Sequence, residues 1–391
     1  MTPQGTDRRS PPSRAARSSN SAAGDEALSS RAVRAVEPER SEADRAFAVL
    51  REELRRSGAF ERPLPPLLLA YAGHLALAFG GLAGCITAPS LGLRALAMLV
   101  SCFGFVGIGT LGHTASHNAA SHRPWINRTL YYFSYPFILQ VSACYWRYSH
   151  IQVHHPQPNV VDFDDDCDLR PAFATNRVHL DQVGGWRRRW PVLQGLSLPL
   201  LLPFNGFNIL RQSWRRLFIE LLDSGRRGPE QWLDLACLIA HLLCWLVLPL
   251  IWFPAADVLL FYAVRAAGIG VGLFAVLAPG HFPPEAACLS RDQRDRGDFV
   301  LRQVATTVDF RTGPLGAFLC SGLEHQIEHH LFPSVSQARL RAVQPLVEAF
   351  CRRAGLPYQR LGWGEAIGKS WRVFFVPKEV VTEVEALRVR R

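Results

Sequence analysis

The sequence predicts an all-α integral membrane protein, with four transmembrane helices in two hairpins and a cytoplasmic helical cap that holds a metal centre. Three observations predict it. Hydrophobic residues make up 48 % of the 391 and gather in long runs, more than one soluble core calls for. Arginines alternate with those runs instead of forming one basic face, as they do where membrane helices meet the cytoplasm. Three clusters, His113-Thr-Ala-Ser-His117, His150-Ile-Gln-Val-His154-His155 and Glu324-His325-Gln326-Ile327-Glu328-His329-His330, hold eight of the thirteen histidines, and imidazole is the commonest metal ligand.

Residues 1–40 are rich in Ser, Arg, Ala and Pro, with neither an apolar period nor a signal-peptide core, and read as a disordered cytoplasmic tail. A membrane domain is expected over 41–365 and a C-terminal cytoplasmic tail over 366–391. Ser41 is placed to cap an amphipathic surface helix that carries Phe47, Leu50 and Leu54 and stops at Gly58. Segments 64–86, 93–112, 232–252 and 256–279 are long enough to cross about 30 Å of hydrocarbon at about 1.5 Å per residue. Only the last carries a mid-span charge, Arg265, expected to face the bundle with Asp257 or a headgroup as partner. Short linkers around 87–92 and 253–256 make each pair of spans a tight hairpin, so both return to the side they left. Arg51, Arg55, Arg56 and Arg62 precede the first hairpin; Arg187 to Arg189, Arg215, Arg216, Arg226 and Arg227 lie between the two; Arg291, Arg294, Arg296 and Arg302 follow the second. That side is therefore cytoplasmic, and all three histidine clusters fall on it, as one shared site requires. Stretches 129–142 and 191–206, interrupted by Pro136, Pro199 and Pro203, are expected to lie along the interface.

The formal charge of +10 belongs to these flanks, so no nucleic-acid partner is expected. Nine cysteines with no Cys-x-x-Cys pair argue for reduced, buried thiols and against a disulfide framework or zinc ribbon.

His113 and His117, four apart at the end of the second span, share a helix face. Thr114 stands where a zinc-protease motif needs Glu, which disfavours that chemistry. In the second cluster His150 and His154 share a face on an α-helix while His155 points about 100° away, so one helix could serve two ions. The third cluster repeats that spacing through His325, His329 and His330, and Gln326 offers a second arrangement. The acidic run Asp162 to Asp168, above all Asp164 and Asp166, and also Glu328, could orient imidazoles by accepting the second ring N–H. His122 is expected to be exposed or to support His117; His74 and His241, inside spans, to be satisfied within the bundle; His179 to lie at the surface.

These residues carry a resemblance. The three boxes in this order, the two-hairpin spacing, Trp146 ahead of the second box, Pro158-Asn159 and the Asp run after it, and above all Gln326-Ile-Glu-His-His-Leu-Phe-Pro333 resemble the membrane fatty acid desaturase superfamily over about residues 42–360. The last string is most like front-end acyl desaturases, in which glutamine replaces the first histidine of the third box. The resemblance implies two non-haem irons held by histidines at the cytoplasmic face, and O2 as co-substrate. It also implies two external electrons and an acyl lipid, acyl-CoA or acyl carrier protein as substrate. It further implies that His281, just after the last span, is a ligand. The implied metal set is His113, His117, His150, His154, His155, His281, His325, His329 and His330. Gln326 competes with His325, since neighbours about 100° apart cannot readily serve one ion.

Two departures stand out. Thr114 replaces the acidic residue often found after the first histidine. The sequence has no His-Pro-Gly-Gly haem segment, so electrons are expected from a separate ferredoxin or cytochrome b5 type carrier. A hydroxylase or ketolase of the same superfamily, acting on an acyl chain, sphingolipid or carotenoid, would keep every ligand. A transporter or metal sensor would bind metal without consuming O2.

Overall fold

The computed structural model describes residues 42–183, 189–293 and 298–388, with side chains from Arg45 onward. The tail 1–40, the Ser41 cap, Arg187, Arg188, Arg294 and Arg296 lie outside the described residues.

The first helix, α1 (Glu42–Arg56), ends where Gly58 takes a φ of 75° and Ala59 N–H returns to the Leu54 carbonyl at 3.0 Å. Its apolar stripe is buried. Leu50 and Leu54 join a cluster with Val343, Val347 and Phe350, and Phe47 stacks on Phe332 at 5.2 Å.

Two long apolar helices follow, α2 (Leu64–Thr87), opened by a proline in its first turn, and α3 (Leu91–Ser116), capped by Ser90. They pack with backbones nearly touching. A Cβ on Gly81 would sit 2.5 Å from the Ser101 nitrogen, and one on Gly104 would strike the Ala78 nitrogen. Ser101 Oγ donates to the Ala78 carbonyl at 2.7 Å, the small-residue packing that holds helices together in lipid.

The chain then forms α4 (Pro124–Tyr132), a π-helical stretch Phe133–Leu139 ended by left-handed Gln140, and α5 (Ala143–Trp146), which continues as π-helix over Arg147–His154. After α6 (Arg177–Asp181) come α7 (Trp190–Leu201), α8 (Asn205–Leu222), α9 (Pro229–Leu242), extended irregularly to Ile251, and α10 (Ala255–His281). The cap is completed by α11 (Phe299–Ala305), α12 (Pro314–Cys320), α13 (Gln326–Leu331), α14 (Gln337–Ala354) and α15 (Trp363–Arg372). The protein is mostly helical. Four short strands, β1 (Cys288–Leu289), β2 (Asp309–Arg311), β3 (Arg360–Gly362) and β4 (Val380–Val381), form two parallel pairs, with Cys288 opposite Val380 and Phe310 opposite Leu361.

Five helical stretches among the described residues are long and apolar enough to cross a membrane: 64–87, 91–116, 190–222, 229–251 and 255–281. The chain is an integral membrane protein. Four match the sequence expectation; the additional one arises because a 3-10 turn at Leu202–Phe204 joins α7 to α8 despite Pro199 and Pro203.

The C-terminal segment is packed. Helix α15 runs through residue 366, and Ala366, Ser370, Val373 and Phe374 are buried. Beyond it, half-buried Lys378 Nζ donates to the His281 and Ala286 carbonyls at 2.9 and 2.8 Å. Arg265 does not meet Asp257. Its guanidinium donates to the Ile138 carbonyl and lies 4.3 Å and 4.4 Å from the ring centroids of Phe105 and Trp245, a cation–π setting. His241 is satisfied inside the bundle by the Phe137 carbonyl and the Tyr262 hydroxyl, whereas His74 meets the Phe318 carbonyl through Nε2 and leaves its buried Nδ1 without a partner. His179 is not at the surface: it is buried, with Nε2 3.1 Å from Asp162. The expectation of buried thiols fails at Cys244, which is exposed.

Candidate metal centre

Helix ends from all parts of the chain bring the histidines together in two groups. His113, His117, His150, His155 and His329 form one and His154, His281 and His330 the other, the candidate ligand atoms within each lying within 4.8 Å of one another. The last turn of α3 supplies His113, with His117 as its C-cap, and the last residue of α10 supplies His281. Adjacent pairs divide. His154 and His155 go to different groups, as do His329 and His330.

The second box does not behave as an α-helix would. His155 N–H bonds to the His150 carbonyl five residues back at 2.9 Å, so the π-helical turn brings these two rings together with their Nε2 atoms 3.1 Å apart. Here His155 joins His150, and His154 is the one turned away. π-Helical turns often mark functional sites for this reason: the extra residue re-aims a side chain.

Four Nε2 atoms are linked by short contacts. His113 faces His150 at 2.8 Å, His150 faces His155 at 3.1 Å, and His155 faces His329 at 3.1 Å. Several rings are fixed from behind through Nδ1: His150 by Asp166 at 2.9 Å, His154 by both Asp164 oxygens at 2.9 and 3.0 Å, and His330 by Gln303 Oε1 at 3.1 Å. A ring whose Nδ1–H is given to an acceptor presents a lone pair at Nε2. Buried Nε2 atoms of His117 and His330 have no hydrogen-bond partner. Imidazole nitrogens in such close contact, and orphaned ones beside them in a buried site, fit a bound cation, and the nitrogen donor set suits iron, copper, nickel or zinc.

Burial lowers the pKa of His150, His155, His329 and His330 well below the ordinary value, and neighbouring histidines lower it further. His117 is pushed down to about 3 by the same causes. These rings are neutral at physiological pH, the form that binds metal. His154 differs. Burial lowers it, but the Asp164 charge and hydrogen bond together with the Asp166 charge raise it overall, and His154 with the Asn159 N–H in turn holds Asp164 below its usual range.

The third box separates His325 from Gln326. His325 caps α13, with Nδ1 3.8 Å from Asp309. Gln326 lies against Gly280, next to His281, and its Nε2 donates to the Leu323 carbonyl at 2.9 Å. Glu328 accepts from Tyr358 at 2.8 Å, beside Asp309, instead of meeting a box histidine. His122 is exposed. Gln303 and Gln337, which hold His330 and His113, are invisible to a search for metal ligands. Gln303 has one signal, its place beside Arg302 between the apolar pairs Val300-Leu301 and Val304-Ala305. Gln337 has none.

The chain matches the fatty acid desaturase family over residues 89–362, a stretch that holds both histidine groups. The chain belongs to the fatty acid desaturase family. Its similarity to characterised relatives covers most of its length. It is 28 % identical over 300 residues to the sn-1 linoleoyl-lipid 6-desaturase of Synechocystis, covering 72 % of this chain and 80 % of that one. It is 25 % identical to the Arabidopsis thaliana Delta(8)-fatty-acid desaturase 1, over 83 % and 73 % of the two chains. With the Caenorhabditis elegans Delta(5) fatty acid desaturase fat-4 it shares 30 % over 64 % of this chain and 56 % of the other. This membrane protein is a fatty acid desaturase.

Proposed function

We propose that the desaturase binds two irons at the cytoplasmic membrane face and introduces a double bond into the acyl chain of a membrane lipid, near its carboxyl end. His113, His117, His150, His155 and His329 would hold one iron. His154, His281 and His330, with Gln326 beside His281, would hold the other. The observation that carries this reading is the division of the adjacent pairs His154–His155 and His329–His330 between two groups.

Iron bound there supplies, with O2 and two electrons, the oxidising power that an unactivated methylene demands and no side-chain acid or base has. A separate ferredoxin or cytochrome b5 type carrier delivers the electrons. The chain's own residues prepare the site. Asp164, Asp166 and Gln303 hold Nδ1 protons so that Nε2 lone pairs face inward. Trp146 stacks on His150 at 4.2 Å, with Tyr135 4.8 Å behind it, and these rings keep water from one side of the cluster. Because α3 and α10 end in ligands, the centre sits where spans leave the bilayer, within reach of a chain in the leaflet.

Convergence also limits the topology. His155 precedes the stretches 190–222, 229–251 and 255–281, and His281 ends the last of them. Residues on one side must be joined by an even number of crossings. With α9 and α10 crossing, 190–222 lies along the interface, where Arg211, Arg215 and Arg216 of α8 suit the cytoplasmic side. Four spans then cross, and the centre faces the cytoplasm.

The relatives named for 6-, Delta(8)- and Delta(5)-desaturation support a position near the carboxyl end. Mass spectrometry of lipids from cells with and without the expressed chain tests the reading. Loss of two hydrogens at such a position is expected; gain of oxygen, or an unchanged profile with active carriers present, would overturn it.

A further inference from the structure

We propose that Gln337 is a positioning residue for His113, and that Thr114 lets its amide adopt either of two orientations, one for each tautomer of the neutral ring. The inference rests on the metal-centre reading above. Gln337 opens α14 and is buried, as is Thr114. Its amide lies between two partners: one end is 2.9 Å from His113 Nδ1, and the other accepts from the Thr114 hydroxyl.

In this arrangement the amide NH2 donates to Nδ1, so the ring proton sits on Nε2, the nitrogen that faces His150 at 2.8 Å. A ring that offers Nε2 to a metal must instead carry its proton on Nδ1 and needs an acceptor there. Turning the Gln337 amide by half a rotation exchanges oxygen and nitrogen at almost unchanged positions. The oxygen then accepts from His113 Nδ1–H, and the NH2 donates to Thr114 Oγ. A hydroxyl can serve both arrangements because it donates or accepts. A carboxylate at 114 could take only one, and valine neither.

Gln303 supplies the contrast. Its NH2 donates to the His155 carbonyl at 2.9 Å, which fixes its oxygen on His330 Nδ1 at 3.1 Å. His330 is therefore preset with a free Nε2, whereas His113 is adjustable. One ligand of the five-histidine group can thus satisfy its Nδ1 both with and without metal.

The test measures iron retention by the full-length purified enzyme against a graded chelator, with the thermal midpoint of the iron-free protein recorded beside it. Gln337→Leu should weaken iron retention about 10- to 100-fold, the usual loss when a ligand's outer hydrogen bond goes. Gln337→Glu, the same shape and always an acceptor, should hold iron at least as well as wild type. Thr114→Val should weaken retention several-fold, with Thr114→Ser restoring it; these near-isosteric variants keep the test valid where leucine prevents folding. Wild-type retention in Gln337→Leu or Thr114→Val, or equal losses in Gln337→Glu and Gln337→Leu, would overturn the proposal while leaving the metal centre standing. A wild-type enzyme that binds no iron would overturn both.

Discussion

Asp164→Asn is the sharpest single perturbation of the site. The carboxylate is 1 % exposed and every lone pair that can be traced is used. Oδ2 accepts from His154 Nδ1 at 2.9 Å and the Asn159 N–H at 2.7 Å; Oδ1 accepts from His154 Nδ1 at 3.0 Å and the Asp166 N–H at 3.1 Å. Asparagine keeps one acceptor oxygen, so its NH2 must face one of two backbone N–H donors. A buried donor left without an acceptor costs about 1–3 kcal/mol. His154 also loses the charge that holds its Nδ1 proton. Weakening a ligand's outer partner costs about 10- to 100-fold in metal affinity, or roughly 1.4–2.8 kcal/mol. Chelator competition on purified enzyme, with turnover measured as desaturated lipid, should show both losses. Asp165→Asn, on an exposed neighbour, should change neither. Wild-type iron retention and turnover in Asp164→Asn would refute the reasoning.

Other expectations follow from the same geometry. Lowering the pH should destabilise the iron-free protein. His117, His150, His155, His329 and His330 have folded pKa values below their unfolded value. The unfolded chain therefore binds more protons, and stability present above about pH 6.5 is lost as pH falls towards their folded values, at up to about 1.4 kcal/mol per pH unit for each ring. His154, raised by Asp164, works in the opposite sense. Thermal midpoints from pH 8 to 5 measure the balance, and a midpoint that rises on acidification would contradict it. His325→Ala should keep the iron content of wild type, whereas Gln326→Ala should lower it; the reverse order by metal analysis would assign the third box the other way. Gly104→Ala forces a methyl into the α2 backbone at Ala78 and should cost about 1–3 kcal/mol, read as a lower thermal midpoint in detergent.

The helical class, membrane spans and joint placement of the boxes were legible because each depends on a coarse property: apolar length, arginine density, spacing. Local backbone form was not. Nothing in His150-Ile-Gln-Val-His154-His155 announces a π-helical turn, so the rings were paired one residue out of step. Partners from distant elements were equally hidden. Asp164 and Asp166 stand in an acidic run whose members look alike until Asn159, with a φ of 56°, turns the loop under His154. Gln337 reaches the His113 ring from α14, 224 residues away, and Gln303 of α11 ties the His330 ring to the His155 carbonyl 148 residues before it. His179 looked solitary because Asp162 and Asn176 meet it only after that loop folds. The 190–222 stretch was ambiguous for a physical reason: its prolines bend it without ending it, and hydropathy alone cannot distinguish a helix across the membrane from one along it.

The most direct test is metal analysis of the purified enzyme beside its His155→Ala and His330→Ala variants, one from each group. The predicted result is two irons per wild-type chain, reduced content in each variant, and desaturation lost with the metal. A wild-type chain without iron, or variants that keep both wild-type iron and wild-type product, would contradict the assignment of these histidines to a two-iron centre.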